Sequence, residues 1–157
     1  MGASFPQEHD MSRIAPIAKA VALIALIQPA LAADEASSRD RIENIHGDAA
    51  GFFELIDALQ DAVTIGDAAA IAEYGLYPLA VNDSDGNYEI IDASDFLDSF
   101  DIAFTAETQQ AVLDQDPDDL IVTSEGVGLG NGALWITNVC LDDACTQTQW
   151  GILSINN

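Results

Sequence analysis

The chain has 157 residues, 49% of them hydrophobic, which suits one compact domain with an ordinary core. Its charge is far from ordinary: 27 Asp and Glu stand against 4 Lys and Arg, for a formal net charge of -23. The bases are Arg13, Lys19, Arg39 and Arg41, so everything beyond Arg41 lacks permanent positive charge and repels phosphate and anionic headgroups, which excludes nucleic acid and a membrane surface as partners.

From Met11 the chain reads MSRIAPIAKAVALIALIQPALAADEA, with Arg13 and Lys19 ahead of an unbroken apolar run at 20–27 and Ala30-Leu31-Ala32 after it. A basic start, a short apolar run and a small-x-small signal are the marks of a secretory signal peptide, here cut after Ala32. The run is too short to span a bilayer, and Gln28-Pro29 interrupts it. Ala33, where a lipoprotein would carry Cys, gives no support for a lipid anchor. Met1 to Asp10 carry none of these marks, so Met11 is read as the true start and residues 1–32 as leader. Residues 33–46 are polar and mixed and read as a flexible lead-in; residues 47–157 form the domain.

Phe52, Leu55, Ile56, Leu59, Ala62 and Val63 recur at helical spacing, with Glu54, Asp57 and Asp61 on the opposite face. This predicts an amphipathic helix capped by Asp48 and stopped at Gly66. Asp67 then caps a short Ala-rich helix that ends at Gly75. A hairpin follows, with strands at 77–81 and 88–91 round the turn Asn82-Asp83-Ser84-Asp85-Gly86-Asn87. Pro78 lacks a ladder donor, so its strand is expected to begin at an edge. Ser94 opens a third helix with the stripe Phe96, Phe100, Ala103 and Phe104, and Thr105 caps a fourth that reaches Asp114. Beyond Pro117-Asp118-Asp119, strands are predicted at 120–124, 133–140 and 146–155.

The stretch EGVGLGNGALWI holds Gly128-Leu129-Gly130-Asn131-Gly132-Ala133, which fits the G-x-G-x-x-A form of a dinucleotide fingerprint. That motif works only when a helix follows the glycines and turns its N-terminus to the pyrophosphate. Here Leu134-Trp135-Ile136-Thr137-Asn138-Val139 follow, residues that favour a strand, and no acidic partner stands at the required spacing. The glycines are therefore read as a turn or bulge between antiparallel strands, or a place where a bulky group packs on the sheet, with no nucleotide cofactor. Asp83-Ser84-Asp85-Gly86-Asn87 offers oxygens round a glycine, but Gly86 arrives too early for a calcium loop and a plain hairpin turn explains it.

Cys140 and Cys145 flank Leu141-Asp142-Asp143-Ala144, the setting of a hairpin tip, where antiparallel backbones come close enough for a disulfide. An oxidising compartment would keep that bond, worth about 2 kcal/mol for so small a loop. Metal binding by two thiols is the rival, but zinc wants four ligands and His46 is the one histidine after the leader.

Two helices, a hairpin, two more helices and a closing meander are also the element order of a known family. The run FFELIDALQDAVTIGDAAAIAEYGLYPLAV, followed by DFLDSFDIAF and by GVGLGNGALWI through WGILSIN, resembles secreted bacterial members of the nuclear transport factor 2-like superfamily over nearly all of residues 48–156. The resemblance lies in element order and spacing, since the superfamily has no universal motif. It implies an α+β fold in which a curved antiparallel sheet wraps round the N-terminal helices as a cone with a central pocket. That pocket is an active site in some members and a ligand-holding or empty cavity in others, and some members work by dimerising, so a homodimer is among the expected partners. In this chain its lining would come from Tyr77, Phe100, Phe104, Trp135 and Trp150.

No catalytic residues carry over, because no Asp-His pairing of a catalytic subgroup is recognisable. His46 would serve as a base only if an acid oriented it inside a cavity, and a lone loop histidine more often faces solvent. Asp98 and Asp101 lie near Phe100 and Phe104, where burial would raise a carboxylate pKa toward general-base use, although carboxylates are everywhere in this chain. The reading is a periplasmic or secreted, non-catalytic binding domain without metal or cofactor, which uses its pocket or sheet face to hold a small molecule or a basic protein. A pocket hydrolase or isomerase is one alternative, and an inward carboxylate or histidine would mark it. An acidic inhibitor or immunity-type protein that captures a basic partner is another, and an acidic patch beside an exposed apolar anchor would mark that. The bland alternative for the charge is an acidic shell that keeps the protein hydrated.

Overall fold

The computed structural model describes residues 31–157, with side chains from Ser38 onward, so the expected leader lies outside the described residues apart from its last two positions. The run read as a flexible lead-in is instead helix α1, Leu31–His46. Ile42 is fully buried, the Arg39 guanidinium lies 4.2 Å over the Phe53 ring, and Arg41 donates to the Val122 carbonyl at 3.2 Å. With so few apolar positions α1 shows no periodic signal, and tertiary packing rather than propensity makes it a helix.

Helix α2, Ala49–Ile65, is the predicted amphipathic helix. The Asp48 carboxylate accepts from the Gly51 N–H at 2.9 Å, and Gly66 ends the helix with a left-handed backbone (φ 70°). Phe52, Leu55, Ile56, Leu59, Ala62 and Val63 are all buried. Asp67 caps α3, Ala68–Glu73, by accepting from Ala70 N–H. That helix stops at Tyr74, one residue before the expected Gly75, because Gly75 already opens strand β1.

Strands β1, Gly75–Asn82, and β2, Tyr88–Ile91, form the predicted hairpin, in register from Leu79↔Ile91 to Asn82↔Tyr88. Pro78 does not begin an edge strand, since β1 lies between β2 and the last strand. Its missing donor is never called on: pairing with β2 starts at Leu79, and the register with the last strand is broken between Gly75 and Ala80. The third helix is shorter than its pattern. Asp92 O, not the Ser94 hydroxyl, accepts the first turn's N–H groups from Asp95 and Phe96, and regular helix α4 is confined to Phe100–Ala103. Thr105 caps α5, Ala106–Leu113, as expected, accepting from Thr108 N–H at 3.3 Å.

The meander consists of β3, Ile121–Val122, β4, Val127–Leu129, β5, Leu134–Cys140, and β6, Thr148–Asn156. Strand β4 was not expected, because its residues sit inside the glycine-rich stretch. One six-stranded sheet results, in the order β2-β1-β6-β5-β4-β3. It is mixed rather than antiparallel throughout: β3 to β6 are antiparallel neighbours, but β1 pairs with β6 in parallel. The chain crosses from β2 through α4 and α5 to the far edge before the meander returns, and that crossover sets the direction of β6 against β1. The protein is thus α+β, with one core in which Phe52 and Leu59 of α2 join Leu79, Phe96, Phe104, Leu134, Ile136 and Ile155.

The glycines of β4 and of the turn that follows it serve both purposes read from the sequence. Gly130, Asn131 and Gly132 take positive φ (56°, 56° and 93°) and feed the antiparallel strand β5 rather than a helix. Gly128 has an ordinary backbone and supplies space instead: a Cβ there would meet the Trp135 ring at 3.3 Å.

Candidate functional site

The five residues expected to line a central pocket are divided among three places. Tyr77, Phe100 and Phe104 belong to one aromatic chain linked through Phe96, with successive ring centroids 5.8 Å apart. Phe104 is fully buried, whereas Tyr77 and Phe100 are half-buried; burial also pushes the Tyr77 phenol pKa up, and its hydroxyl donates to Ala72 O at 3.0 Å. Trp150 belongs to a second cluster, edge-on to Phe52 and His46 at 5.2 Å, with its indole N–H donating to Asp48 O. Trp135 lies on the other side of the sheet, beside a shallow hollow of about 260 Å³ bordered by Glu125, Leu153, Ser154 and Asn156. Phe104 and Trp150 belong to the core, Tyr77 and Phe100 pack against it half-buried, and Trp135 lies at the sheet surface.

The candidate bases are placed as plainly. His46 ends α1, half-buried, with Nε2 2.9 Å from Thr123 O and the ring against Trp150, so a carbonyl and not an acid orients it. Nε2 therefore carries the proton, and the contact ties α1 to the residue after β3. Asp98 and Asp101 are exposed, the opposite of the burial a raised pKa would need. Among the described residues the fully buried polar side chains are Ser38 and Thr108, neither an acid nor a histidine. No three His, Cys, Asp or Glu side chains among the described residues gather as a metal site.

Cys140 and Cys145 are joined in a disulfide across the β5–β6 tip, with Cα atoms 4.8 Å apart. No helix among the described residues is long and apolar enough to cross a membrane.

One surface cleft beside the β1–β2 hairpin was not singled out by the sequence. A cleft of about 370 Å³ opens between the β1–β2 hairpin and α4, lined by Val81, Asp83, Asn87, Tyr88, Glu89, Ile102 and Asn157. Strand β2 is the edge of the sheet and only its last residue, Ile91, is buried, which leaves Tyr88 73% exposed. Across the cleft Ile102 is 72% exposed. Asn157 secures the floor: its N–H donates to Asn82 O, its amide nitrogen to Ile102 O and Ala103 O, and its amide oxygen accepts from the hydroxyls of Thr105 and Thr108.

Acids stand at the rim. Asp83 and Glu89 line the cleft, and Asp85, Asp92, Asp98 and Asp101 are exposed on the adjoining segments. Hydrogen bonds from the Asn87 side chain and backbone hold the Asp83 pKa below the usual carboxylate range, so Asp83 stays charged. Those same bonds occupy its oxygens with the loop's own donors, as a turn requires. The signal that could have found this site is the placing of Tyr88 and Ile102, both apolar, within an acid-rich segment on solvent-facing positions. Periodicity alone assigns such residues to the core.

No family model, no curated protein and no solved structure matches the chain.

Proposed function

We propose that the protein is an exported, non-catalytic binding domain of the nuclear transport factor 2-like kind, and that it captures a basic protein through the cleft between the β1–β2 hairpin and α4. The observation that carries this reading is the pair of apolar side chains, Tyr88 and Ile102, standing exposed within a rim of Asp83 and Glu89. Carboxylates steer a cationic partner toward the face and discriminate against anionic ones. Apolar anchors that become desolvated on contact supply the affinity, and a Lys or Arg laid over the Tyr88 ring gains cation–π attraction as well. A uniformly hydrated shell would have no use for two exposed apolar groups at one cleft.

The fold assignment rests on the order of the elements and on α2 lying against the sheet, with Phe52 meeting Trp150 of β6. Export rests on the leader-like residues 11–32 and on the disulfide, which an oxidising compartment would maintain. The non-catalytic reading is supported by Phe96 and Phe104 being buried in the core and by Asp98 and Asp101 being exposed, without the burial that would raise a carboxylate pKa toward general-base use.

The test is calorimetric titration with a cationic protein of lysozyme type at physiological salt. Binding is expected, and Tyr88→Ala and Ile102→Asp should each weaken it tenfold or more while leaving thermal stability intact. Neutralising Glu107 on α5, which lies outside the cleft lining, should change it little. An absence of binding, or an equal loss from removing any carboxylate on the surface, would sink the proposal.

A further inference from the structure

The open sheet has two edges, β3 and β2, and only one of them is covered. At the β3 end Thr123 N–H donates to Gly126 O at 3.0 Å. Pairs in an antiparallel ladder alternate between hydrogen-bonded and open, so the next pair, Val122↔Val127, is open and Val122 turns its N–H and C=O outward. Helix α1 covers that side: Arg41 donates to Val122 O at 3.2 Å, and His46 Nε2 lies 2.9 Å from Thr123 O.

At β2 the same alternation shows which groups face outward. Asp83 N–H donates to Asn87 O at 2.9 Å, which makes these two a bonded pair. The pairs beyond it run open at Asn82↔Tyr88, bonded at Val81↔Glu89 and open at Ala80↔Ile90. Asn82 O fixes the phase, because it accepts from Asn157 N–H, the residue after β6, on the opposite side of β1 from Tyr88. Tyr88 and Ile90 therefore turn their N–H and C=O groups away from β1, and no other segment among the described residues bonds them. Their side chains share one face of the sheet, 73% and 53% exposed, while Glu89 between them stands on the other face with Val81, in the cleft lining. A bare edge is a template for another chain, and proteins that do not use one cover or blunt it.

We infer that the partner docks by strand addition: an extended, basic segment pairs with the free edge of β2 and continues the sheet. This rests on the reading that the protein captures a basic protein, and it names the form which that partner presents. Charge selects the occupant. A second copy brings a net charge of -23 to an edge that already holds Glu89 and Asp83, so self-pairing is opposed. A segment that alternates Lys or Arg with apolar residues suits both faces. Its apolar side chains lie beside Tyr88 and Ile90, and its cations reach Glu89 and Asp83 with their methylene stems toward Ile102. The outward N–H and C=O groups of Tyr88 and Ile90 hold its backbone, which makes the alternation of the segment, rather than its exact sequence, the feature recognised.

The probe is the peptide acetyl-Lys-Val-Lys-Val-Lys-amide, titrated into the purified chain at low salt and followed by calorimetry and by NMR amide exchange. Binding is expected to slow exchange at Tyr88 and Ile90 and to leave Glu89, whose N–H already bonds to β1, little changed. The anionic peptide acetyl-Glu-Val-Glu-Val-Glu-amide should not bind. Ile90→Pro removes an outward N–H and spares the β1 ladder, a place where proline is tolerated. It should keep the fold and weaken the cationic peptide about tenfold, as loss of a ladder hydrogen bond allows. Ile90→Ala keeps the N–H and should weaken it less. Where Ile90→Pro disturbs the fold, the exchange pattern of the unaltered chain decides. Absence of peptide binding, binding that leaves Tyr88 and Ile90 exchanging as before, or an equal loss from Ile90→Ala and Ile90→Pro would overturn strand addition, while capture of a basic protein is judged separately by the titration with the lysozyme-type protein. Failure of that titration alongside peptide binding at the edge would support strand addition and remove a folded cationic protein as the partner.

Discussion

The two hairpin tips of the sheet are built on one device and secured to different degrees. At the β1–β2 tip Asp83 accepts from the N–H and the side-chain amide of Asn87, four residues on; at the β5–β6 tip Asp142 accepts from the N–H and the hydroxyl of Thr146, also four residues on. In both, those hydrogen bonds pull the carboxylate pKa below its usual range. The second tip adds the Cys140–Cys145 bridge. The first, which carries Tyr88 into the acidic cleft, relies on hydrogen bonds and on Gly86. The turn at the proposed docking cleft is thus closed by hydrogen bonds and a glycine, and the turn between β5 and β6 is closed covalently as well.

A third turn, Gly130 to Gly132 between β4 and β5, uses neither device, and altering it should have the largest effect. A side chain at Gly130 is strained at φ 56° and would also press on the Ala111 Cβ at 2.5 Å. Gly130→Val should therefore lower stability in urea by about 3 kcal/mol or more, as overpacking and a forbidden backbone combine. Next comes the bridge. Cys140→Ser with Cys145→Ser should cost about 2 kcal/mol, read from the same denaturation curve, since the closed loop is short. Gly86→Ala, at φ 83° with nothing within 4 Å, meets backbone strain alone and should cost about 1 kcal/mol. A Gly86 cost equal to that at Gly130 would show that contact with α5 is irrelevant.

The two acids separate the tips more finely. Asp83→Ala should speed amide exchange at Asn87 several-fold, and Asp142→Ala should do the same at Thr146, with a further rise on reduction of the disulfide. The smallest effect is that of pH. A depressed native pKa means that each Asp contributes its full stabilisation above the ordinary carboxylate value of about 3.9, and that this is lost as pH falls through the lower, native value. Protection at Asn87 and at Thr146 should therefore persist at the ordinary carboxylate value and fade only below it. Fading near neutral pH would contradict the hydrogen-bond assignment at Asp83.

Much of the local structure was legible because its causes are local. Asp48, Asp67 and Thr105 cap helices at the positions their side chains announce, since each satisfies an N–H three residues along. Cys140 and Cys145 were paired from their place at a tip alone. Strand β4 was lost because Gly128 lacks a side chain to signal it, and the third helix was overlong because a stripe at helical spacing can be met by irregular turns between Asp92 and Ser99. The site was less legible. Tyr77, Phe100, Phe104, Trp135 and Trp150 were grouped by being aromatic, and residue type says nothing of which face of the sheet a ring occupies. Tyr88 and Ile102 went unnoticed because exposure depends on what does not pack against them.

The sequence by itself thus determined an α+β domain, its caps and turns, its disulfide and its acidic character, all of which follow from short-range hydrogen bonding, patterning and composition. Only the tertiary structure decided that residues 31–46 are helical, that β1 runs parallel to β6, and that Tyr88 and Ile102 stand exposed at one cleft. Those outcomes rest on contacts between distant positions, such as Arg41 with Val122 O and Gly75 with Ile152, and no local preference encodes them.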